Sequence, residues 1–307
     1  MLDVRRLRLL YELDRRGTIA AVAAALHFAP SGVSQQLAQL EVETGLPLLE
    51  RTGRNVRLTE AAKALVVHAK AVLTQLERAE SELAAFTDRP RGTVRIASFQ
   101  TATVAIAPAA LAALRVHSGL RVEVAQSEPE VALPALLARD FDLVICEEYP
   151  GFRGPILSDT DREPLCADPI GLARPVSNGG TTLADARDDV WVMEPCGTVA
   201  RAWAVAQCRE AGFEPDVRFQ ASDMSVHLEL VQGGHATAFV PALAWRGRPR
   251  PEGFQQLPGQ ARSLSTVVRL GSEGHPAIRA VRHALRRAAG ATDPYAGPQR
   301  GMIGTSR

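Results

Sequence analysis

The feature that most constrains this chain is a helical pattern over residues 59–86, in which Leu65, Ala69, Val72, Leu76, Ala79, Leu83 and Phe86 are spaced 4, 3, 4, 3, 4, 3. A continuous helix of that extent is roughly 42 Å long at about 1.5 Å per residue. An apolar a/d seam sustained so far belongs to a coiled coil or to a long helix packed on a partner helix. Alone, the helix would leave its seam in water. The pattern therefore predicts a homodimer, or a homotetramer built from dimers, held through a helix at 59–87.

Upstream lie three shorter helices. Residues 4–16 place Leu7, Leu10 and Tyr11 on one face, with Gly17 positioned to end the helix. Thr18 is placed to cap a second helix, 19–26, made almost wholly of Ala and Val, whose small side chains let neighbours approach closely. After the link "HFAP", Pro30 fits the entry to a third helix and Ser31 can cap it. Two short helices across a tight turn make a helix-turn-helix.

The third helix, "PSGVSQQLAQLE", turns Val33, Leu37 and Leu40 to one side and Gln35 to the opposite side. Ser34 and Gln39 occupy its shoulders, and Gln36 sits nearer the buried edge. Taken singly, each glutamine is better explained by a solvated face. On a helix-turn-helix, however, a glutamine amide can pair bidentately with adenine in the major groove, and serine hydroxyls reach phosphates and base edges. The helix carries no Lys or Arg, and Glu41 and Glu43 near its end repel phosphate.

A formal net charge of +1 excludes a polybasic binder, so any grip on double-stranded DNA must come from locally placed arginines. "LLERTGRNVRLTEA" supplies Arg51, Arg54 and Arg57 around a Gly-Arg-Asn turn flanked by alternating apolar residues. This reads as a wing, a two-stranded ribbon that sets arginines against the DNA backbone or minor groove. A surface hairpin with solvated arginines is the alternative.

Residues 1–90 resemble the DNA-binding region of a LysR-type transcriptional regulator. The resemblance is carried by "IAAVAAALHFAPSGVSQQLAQLEVETGLPLLER" and "VRLTEAAKAL". It implies that Ser31, Ser34, Gln35 and Gln36 fall on recognition positions, that Arg51 and Arg54 fall on the wing, and that RNA polymerase is a partner. Leu49 stands where phenylalanine is usual, Ala62 where glycine is usual, and Gln35 where arginine is common. The last departure favours adenine over guanine in the target.

"TDRPRGT" breaks the seam and reads as a hinge at 88–92. Strands and helices then alternate: "VRIAS", a helix at 104–117, "LRVEVAQ", a helix at 131–139 and the buried strand "FDLVICE". This is βαβα with a parallel sheet. "DPIGLA", "DVWVME", a helix at 198–211, "DVRFQAS", a helix at 224–232 and "ATAFVP" form a second run. "LSTVVRL" and a helix at 276–288 close the chain. The expected organisation is a winged helix-turn-helix at 1–58, the long helix at 59–87 and an effector-binding domain at 93–291. Lobe I comprises 93–163 and 265–291, lobe II 164–264, and the Gly- and Pro-rich tail 292–307 is expected to be disordered. The fold class is α/β overall. By resemblance the two lobes follow the layout of type 2 periplasmic binding proteins.

Ligands of such sheets bind beyond the carboxyl ends of strands, in a cleft between lobes. The strand ends nominate Ser98, Phe99, Gln100, Thr101, Glu128, Glu147, Glu148, Cys196, Gly197, Thr198, Ser222 and Asp223. Helix N-termini with Ser or Thr bind carboxylates, yet these loops lack Arg and Lys while Glu128, Glu147, Glu148, Glu194 and Asp223 are present. The small-molecule effector is therefore expected to carry an amino or other cationic group, unless the acids point outward or cap helices. No other cofactor is implied.

The remaining signals exclude more than they assign. The four cysteines form no C-x-x-C pair and no zinc-ligand spacing with histidine, so no metal site is expected. Peroxide-sensing LysR members use a cysteine pair near Cys196 and Cys208, but an intact helix would hold these roughly 18 Å apart. The charged N-terminus resembles neither a signal nor a transit peptide, and no apolar run approaches the ~18 residues of a membrane span. The chain is expected to be cytoplasmic. Nucleotide and nucleophile-elbow motifs are missing, and Ser222, Asp223 and His227 lie too close together for a triad, so no catalytic residue is expected. A solute-binding protein would suit the last two-thirds but not the winged helix.

Overall fold

In the computed structural model of the chain, the described residues are 1–52, 55–87, 89–152, 157–180, 182–245 and 253–290, with backbone alone at 51, 52 and 55. The expected tail at 292–307, the wing arginine at 54 and residue 88 of the expected hinge lie outside them.

Helix α1 (Val4–Arg16) is capped by Asp3, whose carboxylate accepts the Arg5 N–H at 2.7 Å, and ends at Gly17 with φ 74°. Helix α2 (Ile19–Ala25) is capped by Thr18 through the Ala21 N–H. Helix α3 (Pro30–Thr44) differs from expectation at its start: Ala29 is the cap residue and Ser31 makes no capping bond. Proline occupies the first helical position, which moves the cap one residue upstream of it. Strands β1 (Leu49–Thr52) and β2 (Asn55–Leu58) pair antiparallel, and Thr59 caps the long helix α4 (Glu60–Ala85) through the Ala62 N–H. Leu10, Val22, Val33, Leu37, Leu40 and Ala62 close a core of their own. Each buried leucine there contributes ~2 kcal/mol.

The remainder is α/β. Strand β3 (Gly92–Ser98) leads to α5 (Gln100–Ala105) and α6 (Ala107–Leu114), then β4 (Leu120–Gln126), α7 (Pro129–Leu137) and β5 (Leu143–Glu148). The single helix expected at 104–117 is two helices, because Pro108 lacks the N–H that would bond one turn back and crowds the preceding turn. Next come β6 (Thr160–Ala173), β7 (Val190–Met193), α8 (Val199–Glu210), β8 (Asp216–Gln220), α9 (Met224–Gln232), β9 (Ala238–Pro241), β10 (Phe254–Arg269) and α10 (Pro276–Gly290).

The main sheet runs β4-β3-β5-β10-β6-β9, and β7 pairs with β8 beside it. Pairing of β3 with β4 and β5 is parallel, as expected, but β10 is antiparallel to β5 and β6, so the sheet is mixed. Strands β6 and β10 pair along most of their length. One end of the pair lies beside β5 and the other beside β9, so both strands run through the two lobes. One lobe packs α6 and α10 on β3 and β5, and the other buries Trp191 and Phe239 against Trp203 of α8.

Helix α4 does not stand free of this body. The Ser81 hydroxyl donates to the Gly271 carbonyl at 2.8 Å, and Glu77 accepts from Arg269 and Arg139, each at 2.8 Å. Gly271 has φ 98°, and a Cβ there would stand 2.7 Å from the Thr74 carbonyl oxygen. Glycine is what lets the turn before α10 approach the helix. Nearer the N-terminus, Tyr11 Oη and Lys70 Nζ both reach the Asp159 carboxylate, and Arg8 donates to the Ala138 carbonyl at 3.0 Å. Among the described residues, no helix is long and apolar enough to cross a membrane.

Candidate functional site

Apart from Gln36, the polar side chains on the outward face of α3 make no hydrogen bond to the rest of the chain among the described residues. Ser31, Ser34, Gln35, Gln36 and Gln39 are all exposed, while Val33, Leu37 and Leu40 are buried beneath them. Gln36, expected near the buried edge, is exposed, but its amide oxygen accepts from Arg6 Nε at 3.0 Å. It is therefore the least free of the set. The two carboxylates expected to repel phosphate are both engaged. Glu41 accepts the Leu48 and Leu49 N–H groups at 2.8 and 3.0 Å, tying the turn before β1, and Glu43 pairs with Arg6. Sequence reading missed Arg6 in this role, because its partner lies far along the chain.

The wing is present as the β1–β2 ladder, with Glu50 opposite Arg57 and Arg51 opposite Val56. Arg57 is exposed. The Arg51 side chain and all of Arg54 lie outside the described residues.

The seam of α4 divides into two parts. Leu65 and Ala69 pack into the winged-helix core, so they serve the fold of the DNA-binding unit. Val72, Leu76, Ala79, Leu83 and Phe86 are exposed, Leu83 at 69% and Phe86 at 87%. The face that carries Glu77 and Ser81 is covered by lobe I instead.

The second candidate site lies between the lobes. Its lining combines Phe99, Gln100 and Thr101 after β3, Glu128 and Glu130 at the start of α7, and Glu147 and Tyr149 at the end of β5. Glu194, Thr198, Ala200, Ser222 and Met224 come from the opposite lobe, and Arg262 from β10; the cavity is about 450 Å³ including its open mouth. Ser98 lies just behind, buried, its carbonyl accepting the Thr103 hydroxyl at 3.2 Å. Strand alternation sends Glu148 to the other face of β5, where Arg162 meets it at 2.5 Å. Cys196 and Gly197 are exposed and do not join the lining.

Arg262 corrects the expectation of a cleft without cations. Its guanidinium, 3% exposed, binds Asp168 through Nε at 2.8 Å, Thr101 through Nη2 at 2.7 Å, and Glu147 through Nη1, while lying 5.0 Å from the Phe99 ring centroid. Burial and the neighbouring Glu194 and Asp168 push the Glu147 carboxyl up, and Arg262 opposes that shift. Glu128 is pushed up to about 7, first by burial and then by Glu147, Glu130 and Glu194, with Arg262 opposing.

Both helix N-termini of the second lobe are already engaged across the cleft. Glu130 accepts the Val199 N–H at 3.1 Å, while Thr198 caps α8. Gln100 donates to Asp223 at 2.9 Å and accepts the Met224 N–H at 3.4 Å, with Asp223 itself capping α9. The N–H groups of Val199, Arg201, Met224 and Ser225, which a carboxylate was expected to meet, are thus taken by side chains of the chain itself. Cys208 is buried with its thiol pushed up to about 12 by burial, and α8 is intact between it and Cys196.

Residues 87–290 match the family described as "LysR substrate binding domain", and residues 4–63 match "Bacterial regulatory helix-turn-helix protein, lysR family". The chain belongs to the LysR family. LysR-family proteins are transcriptional regulators that bind DNA and form oligomers, and this chain combines their helix-turn-helix unit with their effector-binding domain. Transcriptional dual regulator GltC of Bacillus subtilis is 29% identical over 246 residues, covering 78% of this chain and 81% of that one. The regulator AlsR of the same organism is 30% identical over 253 residues, covering 76% and 81%. In fold the chain is similar to a full-length OxyR variant from Pseudomonas aeruginosa, with a TM-score of 0.62, 17% identity and coverage of 93% and 95%. It is also similar to full-length CbnR complexed with its target DNA, with a TM-score of 0.53, 23% identity and coverage of 94% and 100%.

Proposed function

We propose that this LysR-family regulator reads duplex DNA with the exposed amide and hydroxyl face of α3 and grips it with the wing. Gln35 inspects base edges, flanked by Ser31, Ser34 and Gln39. Arg51, Arg54 and Arg57 supply the phosphate contacts that a neutral helix cannot, and Gln36 contributes through its bond with Arg6. The observation that carries this reading is the exposure of all five polar side chains over a buried Val33–Leu37–Leu40 row. Two units joined through Val72, Leu76, Ala79, Leu83 and Phe86 present two half-site readers, which multiplies weak half-site affinity. A dimer is the minimal assembly and a tetramer repeats it.

A small molecule bound between the lobes, against Gln100, Thr101, Glu128, Glu147, Thr198, Ser222 and Asp223, shifts the lobes and thereby the DNA affinity. Contacts of α4 with the turn before α10 give the motion a route to the DNA-binding unit. The chain acts in the cytoplasm without catalysing a reaction, and by family resemblance it meets RNA polymerase at the promoter. Footprinting of the purified full chain on the DNA flanking its gene tests this. Two protected half-sites about one helical turn or a multiple apart are expected, and uniform protection that salt abolishes would contradict sequence-specific reading.

A further inference from the structure

Carboxylates in the cleft outnumber the cation available to them. Glu128, Glu130, Glu147 and Glu194 line it and Asp168 lies beneath, while Arg262 is the one guanidinium or ammonium on the lining among the described residues. Arg262 is held by Asp168, Glu147 and Thr101, so little of its charge is left to attract an anion. Neither Glu128 nor Glu194 has an ion-pair partner among the described residues.

A second, smaller hollow, about 240 Å³ including its open mouth, shares Tyr149, Glu194 and Ala200 with the cleft and is lined further by Ile170, Trp203 and Phe239. Its aromatic rings pack on one another, Tyr149 tilted against Trp203 at 5.2 Å and Trp203 edge-on to Phe239 at 5.1 Å between centroids. Trp203 is 1% exposed, and its Nε1 has no hydrogen-bond partner. A buried indole N–H left unpaired costs free energy that an acceptor on a ligand would recover. Aromatic side chains beside carboxylates suit an organic cation whose charged head and apolar stem are separate, the head meeting the carboxylates and the stem the rings. Among the described residues, no three His, Cys, Asp or Glu side chains are placed to hold a metal ion.

We infer that the effector is an organic amine, its ammonium seated between Glu128 and Glu194 and its apolar stem turned to the Tyr149–Trp203–Phe239 wall. This rests on reading the interlobe cleft as the effector site. The head replaces the mutual repulsion of the glutamates with attraction, and an oxygen on the stem meets the Trp203 N–H. Carboxylate effectors are disfavoured because the α8 N-terminus already holds the Glu130 carboxylate.

Thermal shift and calorimetry on the full chain test this with tyramine, phenethylamine and putrescine against p-hydroxyphenylacetate, phenylacetate and butane-1,4-diol, each to about 5 mM, where a ligand with a submillimolar Kd raises the unfolding midpoint. At least one amine is expected to bind and none of the carboxylates or the diol. Glu128→Gln and Glu194→Gln, which are isosteric and relieve repulsion, are each expected to weaken amine binding about tenfold, and Trp203→Phe is expected to erase any preference for tyramine over phenethylamine. Failure of all three amines overturns the proposal. So does binding of a carboxylate that Thr198→Val weakens, which would leave the cleft as the effector site and overturn its cationic class. Amine binding untouched by both glutamine variants would overturn the placement in the cleft itself.

Discussion

Glu77 on the long helix and Arg269 at the end of β10 meet at 2.8 Å, both largely buried, and Arg139 reaches the same Glu77 oxygen at 2.8 Å. Arg269 also donates to the Leu136 and Phe141 carbonyls at 3.0 and 2.6 Å and pairs with Asp142 at 3.2 Å. The pair therefore fastens the helix that carries the DNA-binding unit to a rigid corner of lobe I. Removing one partner of such a pair leaves the other charges poorly compensated. Glu77→Gln is expected to lower stability by about 3 kcal/mol, and hydrogen exchange along residues 70–81 should accelerate. Unchanged exchange there would show that the helix is held by other contacts.

Glu128 makes the cleft sensitive to pH. Its carboxyl is raised to about 7 by burial and by Glu147, Glu130 and Glu194, against the pull of Arg262. The fold thus favours the protonated form. Its contribution to stability is fully present below the ordinary carboxylate range and is lost as pH rises through about 7. The unfolding midpoint without effector should fall between pH 5 and pH 8 by an amount that Glu128→Gln removes, and the variant should be the more stable protein at pH 8. Equal pH profiles for the two proteins would contradict the crowding of carboxylates in the cleft.

Much of this was legible in the sequence, and the exceptions share a physical cause. The winged helix was readable because its signals are local: Thr18 caps α2, Gly17 ends α1, and the apolar rows of α3 and α4 keep helical spacing. Strands β6 and β10 are legible in only half their length, because Pro164 in one and Pro258 and Gly259 in the other resemble breaks. They persist because each is paired along its length with the other, with register shifts absorbing the irregular residues. Arg262 was lost with that unread half of β10. Tyr149 and Glu130 escaped notice because only the third dimension brings them opposite Glu194 and α8. The seam of α4 was read as one surface although it is two, since spacing cannot tell a helix that packs on its own domain from one that packs on a copy.

The exposed half of the seam gives a prediction about assembly. Leu76 and Leu83 are 40% and 69% exposed and touch no core. Replacing both with Glu should leave the helical content and the winged-helix core intact while shifting sedimentation toward the monomer. Because linked half-sites gain by effective concentration, DNA affinity should fall at least about 100-fold. A variant that sediments like wild type would place the interface elsewhere.

Salt dependence separates gripping from reading. If Arg54 neutralises a phosphate, Arg54→Ala should reduce the slope of log affinity against log salt by about 0.9 for each phosphate left unneutralised. The Gln35→Ala slope should stay at the wild-type value. A slope unchanged in Arg54→Ala would remove that arginine from the grip of the wing.

The central claim, that the neutral face of α3 reads bases, is tested most directly by fluorescence anisotropy with wild type and Gln35→Ala. Each would be titrated on a duplex selected by the wild type from a randomised pool and on a scrambled duplex of equal composition. The expected result is that Gln35→Ala keeps its affinity for the scrambled duplex and loses roughly 1–3 kcal/mol of preference for the selected one per bidentate amide–base pair. If Gln35→Ala discriminates between the two duplexes as well as wild type does, Gln35 does not read the DNA.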